Sequence, residues 1–124
     1  MTSEPVQLML PLIQAPTNNQ HAILTATAAG LRADRAACRD SRADDWHPDP
    51  DDLDSAATAA RAVQVCQRCP VARACLAAAL VGDEHGIWAG TTEAQRASML
   101  DLLATGVRVQ TVLSIATDRP RLAA

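Results

Sequence analysis

A chain of 124 residues suits one small domain with a modest core. Apolar residues make up 48% of it, but Ala and Leu supply most of that content, Phe and Tyr are absent, and Trp46 and Trp88 are the large aromatics; a cross-link or a metal would matter to such a core. The formal charge of −3, with all eleven basic residues arginine, argues against holding nucleic acid by bulk electrostatics, and no apolar run of about 18 residues offers a membrane span.

In chain order, residues 1–18 read as a flexible N-terminal segment. Its apolar stretch VQLMLPLIQAP follows Glu4, is split by Pro11 and has no basic flank, so it does not read as a signal peptide and the expected compartment is the reducing cytoplasm. The stretch NQHAILTATAAGLRADRAAC, 19–38, predicts one helix or two joined at Gly30. The acidic DSRADDWHPDPDD that follows contains two prolines and predicts a solvated loop. Asp52 or Asp54 is then placed to cap a helix to about Cys69, with Leu53, Ala56, Ala57, Ala60 and Val63 along its apolar stripe. A further helix is expected from Pro70 to about Val81, ended by Gly82 as C-cap. After the turn HGIWAG, Thr92 with Gln95 three residues on forms a capping-box pattern that starts a helix to about Ala104. The segment LLATGVRVQTVLSIA closes the ordered part. No β-branched alternation occurs, so the fold class is all-α, a small bundle of about four to five short helices.

The chemistry sits in CQRCPVARAC, residues 66–75, which holds three of the four cysteines. On an unbroken helix Cys66 and Cys69 share a face, whereas Cys75 points about 180° away. Pro70 resolves this. It disfavours helical geometry at Cys69 and suits the start of a new helix, so the chain can turn and bring Cys75 back to the same side. Cys38, 28 positions before Cys66, completes the set. Four thiolates from separate elements can hold zinc or an iron-sulfur cluster. Structural zinc sites of four cysteines usually show two short knuckles, and here one CxxC is joined by lone cysteines; zinc stays open on this count. His47 adds nothing to a site that four cysteines complete.

With these residues in view, the chain from about Leu31 to Met99 resembles the WhiB-like family of actinobacterial iron-sulfur transcriptional regulators. AACRD at 36–40, CQRCPVARAC at 66–75 and HGIWAG at 85–90 leading into TTEAQR carry the resemblance. It implies that Cys38, Cys66, Cys69 and Cys75 bind a 4Fe-4S cluster that senses oxygen, nitric oxide or redox state. It also implies docking on the C-terminal region of the primary sigma factor, so that promoter DNA is reached partly through RNA polymerase. On this reading the turn Gly86, Ile87, Trp88 and Gly90 meets sigma, with Trp88 as anchor, and Trp46 shields the cluster. The implied domain, 19–104, carries the cluster, and 105–124 is a C-terminal helical extension and tail.

The sequence departs from the family at its end. Many members of the family it resembles carry a dense Lys/Arg tail, whereas from Thr91 onward four arginines, Arg96, Arg108, Arg119 and Arg121, stand against Glu93, Asp101 and Asp118. Those four are the candidate DNA contacts. The segment around Gly106 loosely resembles a helix-turn-helix that would present Arg108, Gln110 and Thr111 to DNA, but a helical hairpin packing on the core is the preferred reading. Two other functions compete with the regulator: a protein disulfide reductase using Cys66 and Cys69 in the apo form, and a structural zinc module for protein interaction.

Overall fold

The computed structural model describes residues 17–117 apart from Arg42, Pro50 and Asp52. The expected flexible segment 1–18 lies almost wholly outside the described residues, as do Arg119 and Arg121. Five α-helices are described: α1 Asn18–Ala28, α2 Ser55–Gln67, α3 Ala72–Gly82, α4 Glu93–Ala104 and α5 Val109–Thr117. Two short 3-10 turns, Ala33–Arg35 and Ala43–Trp46, lie between α1 and α2. The only pairing of extended backbone among the described residues is the single bridge between Trp88 and Thr91. The all-α expectation therefore holds. No helix among the described residues is long and apolar enough to cross a membrane.

Local chemistry explains most boundaries. Thr92 caps α4 through the Gln95 amide N–H while the Gln95 side chain accepts from the Thr92 N–H, the reciprocal capping box that the sequence predicts. Thr17 and Gln20 form a second box at the start of α1. The expected helix over 19–38 stops early. Beyond Gly30 the chain runs through the first 3-10 turn, and Cys38 sits in a turn rather than on a helix. At the CxxC, α2 tightens into 3-10 bonds, Arg68 N–H to Val65 and Cys69 N–H to Cys66, before α3 restarts beyond Pro70. The end of α3 differs from expectation by one residue. Asp83, not Gly82, takes the left-handed conformation, at φ 51°, which Asp tolerates better than most residues with a Cβ. Gly106, at φ 98°, ends α4 in a Schellman pattern, with its N–H on the Leu103 carbonyl and that of Val107 on Leu102.

Packing divides the apolar residues into two cores. In the larger, α1 packs along α3 and α5 lies against α3, α4 and α1. It is built from Leu24, Leu76, Leu80, Met99, Leu103, Val112 and Leu113, with Ala77, Ala89 and Val109. Three of these belong to α5, so the expected boundary at residue 105 is not a packing boundary. The preferred hairpin reading of this segment agrees with that burial. The smaller core joins Ala62 and Cys66 of α2 to Ile87, with Trp46, Ala59 and Val63 packed against them. The apolar stripe expected on α2 is corrected here: Leu53 is 99% exposed and Ala56, Ala57 and Ala60 face solvent, while Ala62 and Cys66 point inward.

Candidate metal centre

The cysteines stand where the two cores meet. Cys66 ends the buried face of α2 and belongs to the smaller core, whereas Cys75, on the first turns of α3, packs against the larger. Cys69 lies between them in the break that Pro70 makes, and Cys38 approaches from the loop after α1. All four are free thiols. Cys66 feels the charge of Cys38 and Cys69, and Cys75 that of Cys66, Cys69 and Cys38. The four thiols thus lie near enough for their charges to interact, although among the described residues no three His, Cys, Asp or Glu side chains close to single-ion distances.

Polar groups flank the sulfurs. The Ala37 N–H donates to the Cys69 Sγ at 3.4 Å. The Ala89 backbone favours charge on Cys75, and the Gly90 backbone, which lies against Cys66, and the Trp46 side chain favour it on Cys66. Burial nevertheless dominates: it pushes the Cys66 thiol up, and takes Cys75 up to about 12, where its neighbours' charges also raise it. A metal-free chain therefore keeps Cys75 protonated at neutral pH, and loading the site must displace that proton. Four soft sulfur donors, three of them already beside groups that favour thiolate charge, fit an iron-sulfur cluster or another thiophilic metal.

The turn that contains Ala89 and Gly90 is held from several sides. Trp88 and Thr91 exchange backbone hydrogen bonds at 3.1 and 2.9 Å, and the Thr91 hydroxyl donates to the Trp88 carbonyl. The Ile87 N–H reaches the Trp46 carbonyl at 2.8 Å, which ties the turn to the acidic loop. Gly86 at φ 83° and Gly90 at φ 74° need the freedom of glycine. At Gly86 a Cβ would also lie 2.6 Å from His47 Nδ1 and closer still to the Trp46 carbonyl oxygen. The Glu93 carboxylate accepts the Gly86 N–H at 3.0 Å and lies 3.3 Å from His85 Nδ1. These contacts, the Gly86 N–H foremost, hold its carboxyl below the ordinary range.

The candidate residues divide on this geometry. Trp46 packs against the small core beside Cys66 and favours charge on that sulfur. Trp88 is half-buried, with its indole N–H on the His85 carbonyl at 2.9 Å. Ile87, expected on the partner-facing side of the turn, is 3% exposed and faces the smaller core instead. An open groove of about 370 Å³, lined by His47, Pro48, Ala59, Gly86, Ile87 and Glu93 among others, runs beside the turn. Arg96 is the clearest correction. Expected as a DNA contact, it is 4% exposed, and its guanidinium donates to the carbonyls of Thr91, Glu84 and Gly86. Arg108, Gln110 and Thr111 are exposed, but Gln110 is taken up by Arg73 of α3, which donates to its carbonyl and its side chain. Sequence reasoning also missed the backbone groups of Ala37, Ala89 and Gly90, because a main-chain group carries no signature in residue type.

The region that contains these residues is similar to known proteins. A family model described as transcription factor WhiB matches residues 33–99, which contain all four cysteines and the turn. A redox- and pH-responsive transcriptional regulator, WhiB3 of Mycobacterium tuberculosis, is 44% identical over 52 residues, 41% of this chain and 47% of that protein. The transcriptional regulator WhiB1 of the same organism is 36% identical over 66 residues, 52% of this chain and 79% of that protein. The chain thus spans about half the length of the WhiB3 relative it matches. No solved structure matches it. With the family model covering more than half of its length around the cysteine centre, the chain belongs to the WhiB family of transcription factors.

Proposed function

We propose that this protein is a redox-responsive transcription regulator in which Cys38, Cys66, Cys69 and Cys75 hold a 4Fe-4S cluster, and that it acts by docking on the C-terminal region of the primary sigma factor. The observation that carries the reading is the Ala37 N–H on the Cys69 sulfur at 3.4 Å, together with Ala89 beside Cys75 and Gly90 and Trp46 beside Cys66, which favour charge on those sulfurs. Groups placed this way stabilise thiolates that the burial around them would otherwise disfavour, which is the arrangement a cysteine-bound cluster needs. The similar WhiB3 protein, described as redox- and pH-responsive, supports the redox part. When bound, the cluster supplies a one-electron redox couple and iron that can react with oxygen or nitric oxide.

The protein's own residues connect that site to a surface. Trp46 packs against Cys66, the turn places Ile87 in the same small core, half-buried Trp88 is part of that turn, and Gly86 and Ile87 line the open groove. A partner seated there would sense the packing around the cysteines directly. DNA contact by this chain alone would rest on exposed Arg108, and on Arg119 and Arg121 beyond the described residues, so most promoter contact is borrowed from the polymerase. Burial of Cys66 and its raised thiol count against a disulfide reductase, whose attacking sulfur must be an accessible thiolate.

Binding tests the docking step. The anaerobically prepared, iron-loaded chain is expected to co-elute with the sigma C-terminal region on size exclusion, and Trp88→Ala to weaken the complex by about 2 kcal/mol or more. Equal binding by the loaded chain and by Trp88→Ala would remove the turn from the interface.

A further inference from the structure

We propose that Arg96 is the positioning residue of the cysteine centre: its buried guanidinium fixes the turn 84–91 in the shape that holds the backbone of Gly90 against Cys66 and that of Ala89 beside Cys75, and thereby sets the lifetime and reduction potential of the bound cluster. The inference rests on the reading that these thiols hold a cluster.

The geometry is specific. Nη1 donates to the Thr91 carbonyl at 2.7 Å and to its hydroxyl at 3.1 Å, while Nη2 donates to the carbonyls of Glu84 at 3.0 Å and Gly86 at 2.7 Å. The two arms of one planar fork therefore grip both ends of the turn, and Ala89 and Gly90 lie between them. The path in between is demanding: Gly86, Ala89 and Gly90 all have positive φ, and Ala89, at 52°, has a Cβ in a region that alanine rarely adopts. Such a conformation persists only where the surroundings over-determine it. The Trp88 and Thr91 pair closes the turn locally, and Arg96 closes it from α4.

Charge adds a second effect. Arg96 stays protonated despite its burial, and it is near enough to Cys75 for their charges to interact. A fixed cation, together with backbone that favours charge on Cys75 and Cys66, stabilises the more negative, reduced state of whatever those sulfurs bind. Lysine would keep the charge without the fork, since a single ammonium cannot span carbonyls at both ends of the turn as a planar guanidinium does.

The test uses the full chain, reconstituted anaerobically, as wild type and as Arg96→Gln, Arg96→Lys and Thr91→Val. Iron and sulfide per chain, the midpoint potential, the rate at which visible absorbance is lost in air, and thermal melting of the metal-free forms are measured on each. Arg96→Gln is expected to lose absorbance about tenfold faster than wild type and to show a more negative potential. Arg96→Lys should fall between the two, and Thr91→Val, which removes one acceptor of the fork, should shift both readouts less in the same direction. An Arg96→Gln protein with wild-type potential and cluster lifetime overturns the proposal even if its metal-free form melts lower, because that pattern marks a merely structural arginine. If Arg96→Gln does not fold, Thr91→Val decides, and unchanged potential and lifetime there overturn it equally. A wild-type chain that takes up no iron or sulfide overturns the cluster reading itself, a failure visible before any variant is compared.

Discussion

Replacing Cys75 by Ala is expected to reduce the iron retained after anaerobic reconstitution to less than about a tenth of the parent's. Cys75 is the one thiol that packs against the larger core, whereas Cys66 belongs to the smaller one. Metal held between them would tie α2 and the loop containing Trp46 to the helices built around Leu76 and Leu113. Without it, the smaller core of Ala62, Cys66 and Ile87 has little apolar surface to keep α2 in place. Amide exchange in α2 and in residues 36–48 should then accelerate by about tenfold or more, while α3 and α5 keep their protection. The outcome is regional because the larger core is complete without the metal. A Cys75→Ala chain that kept its iron, or whose α2 amides exchanged no faster, would show that the two cores are not joined through this sulfur.

Leu113→Ala is expected to cost about 2–5 kcal/mol, a large share of the stability of a domain this size. Leu113 is completely buried with Leu24, Leu76 and Leu103, so truncating it opens a cavity among helices from both ends of the chain. Chemical denaturation should show a lower midpoint with little change in slope. The neighbouring Ile115, 54% exposed on the same helix, provides the control, and its replacement by Ala should change stability by less than about 1 kcal/mol. Equal effects at the two positions would mean that α5 is an appended tail rather than part of the core.

Legibility from sequence followed physical cause. The cysteine set and the break at Pro70 were readable because helical periodicity alone forbids Cys66, Cys69 and Cys75 from converging on one unbroken helix. The Thr92 and Gln95 box was readable for a similarly local reason, and the same pattern at Thr17 and Gln20 was available as a signal for the start of α1. The buried face of α2 was not. In a run as rich in alanine as SAATAARAV, apolar residues occupy every side of the helix, so the phase is set by what Ala62 and Cys66 meet, namely Ile87, 25 and 21 residues downstream. Arg96 misled for another reason. A lone arginine after a turn reads as solvent-facing charge, and its burial depends on three carbonyls that the folded turn directs at it. Three of the groups beside the sulfurs belong to the main chain, at Ala37, Ala89 and Gly90, and their roles come from backbone shape and not from side-chain identity.

The central claim is that the four cysteines hold an iron-sulfur cluster, and the direct measurement is the visible spectrum of anaerobically purified protein with iron, sulfide and zinc quantified on the same sample. A broad brown absorption with about four irons and four sulfides per chain is the predicted result. A colourless protein carrying about one zinc per chain would contradict it, and would make the centre a structural site for protein interaction.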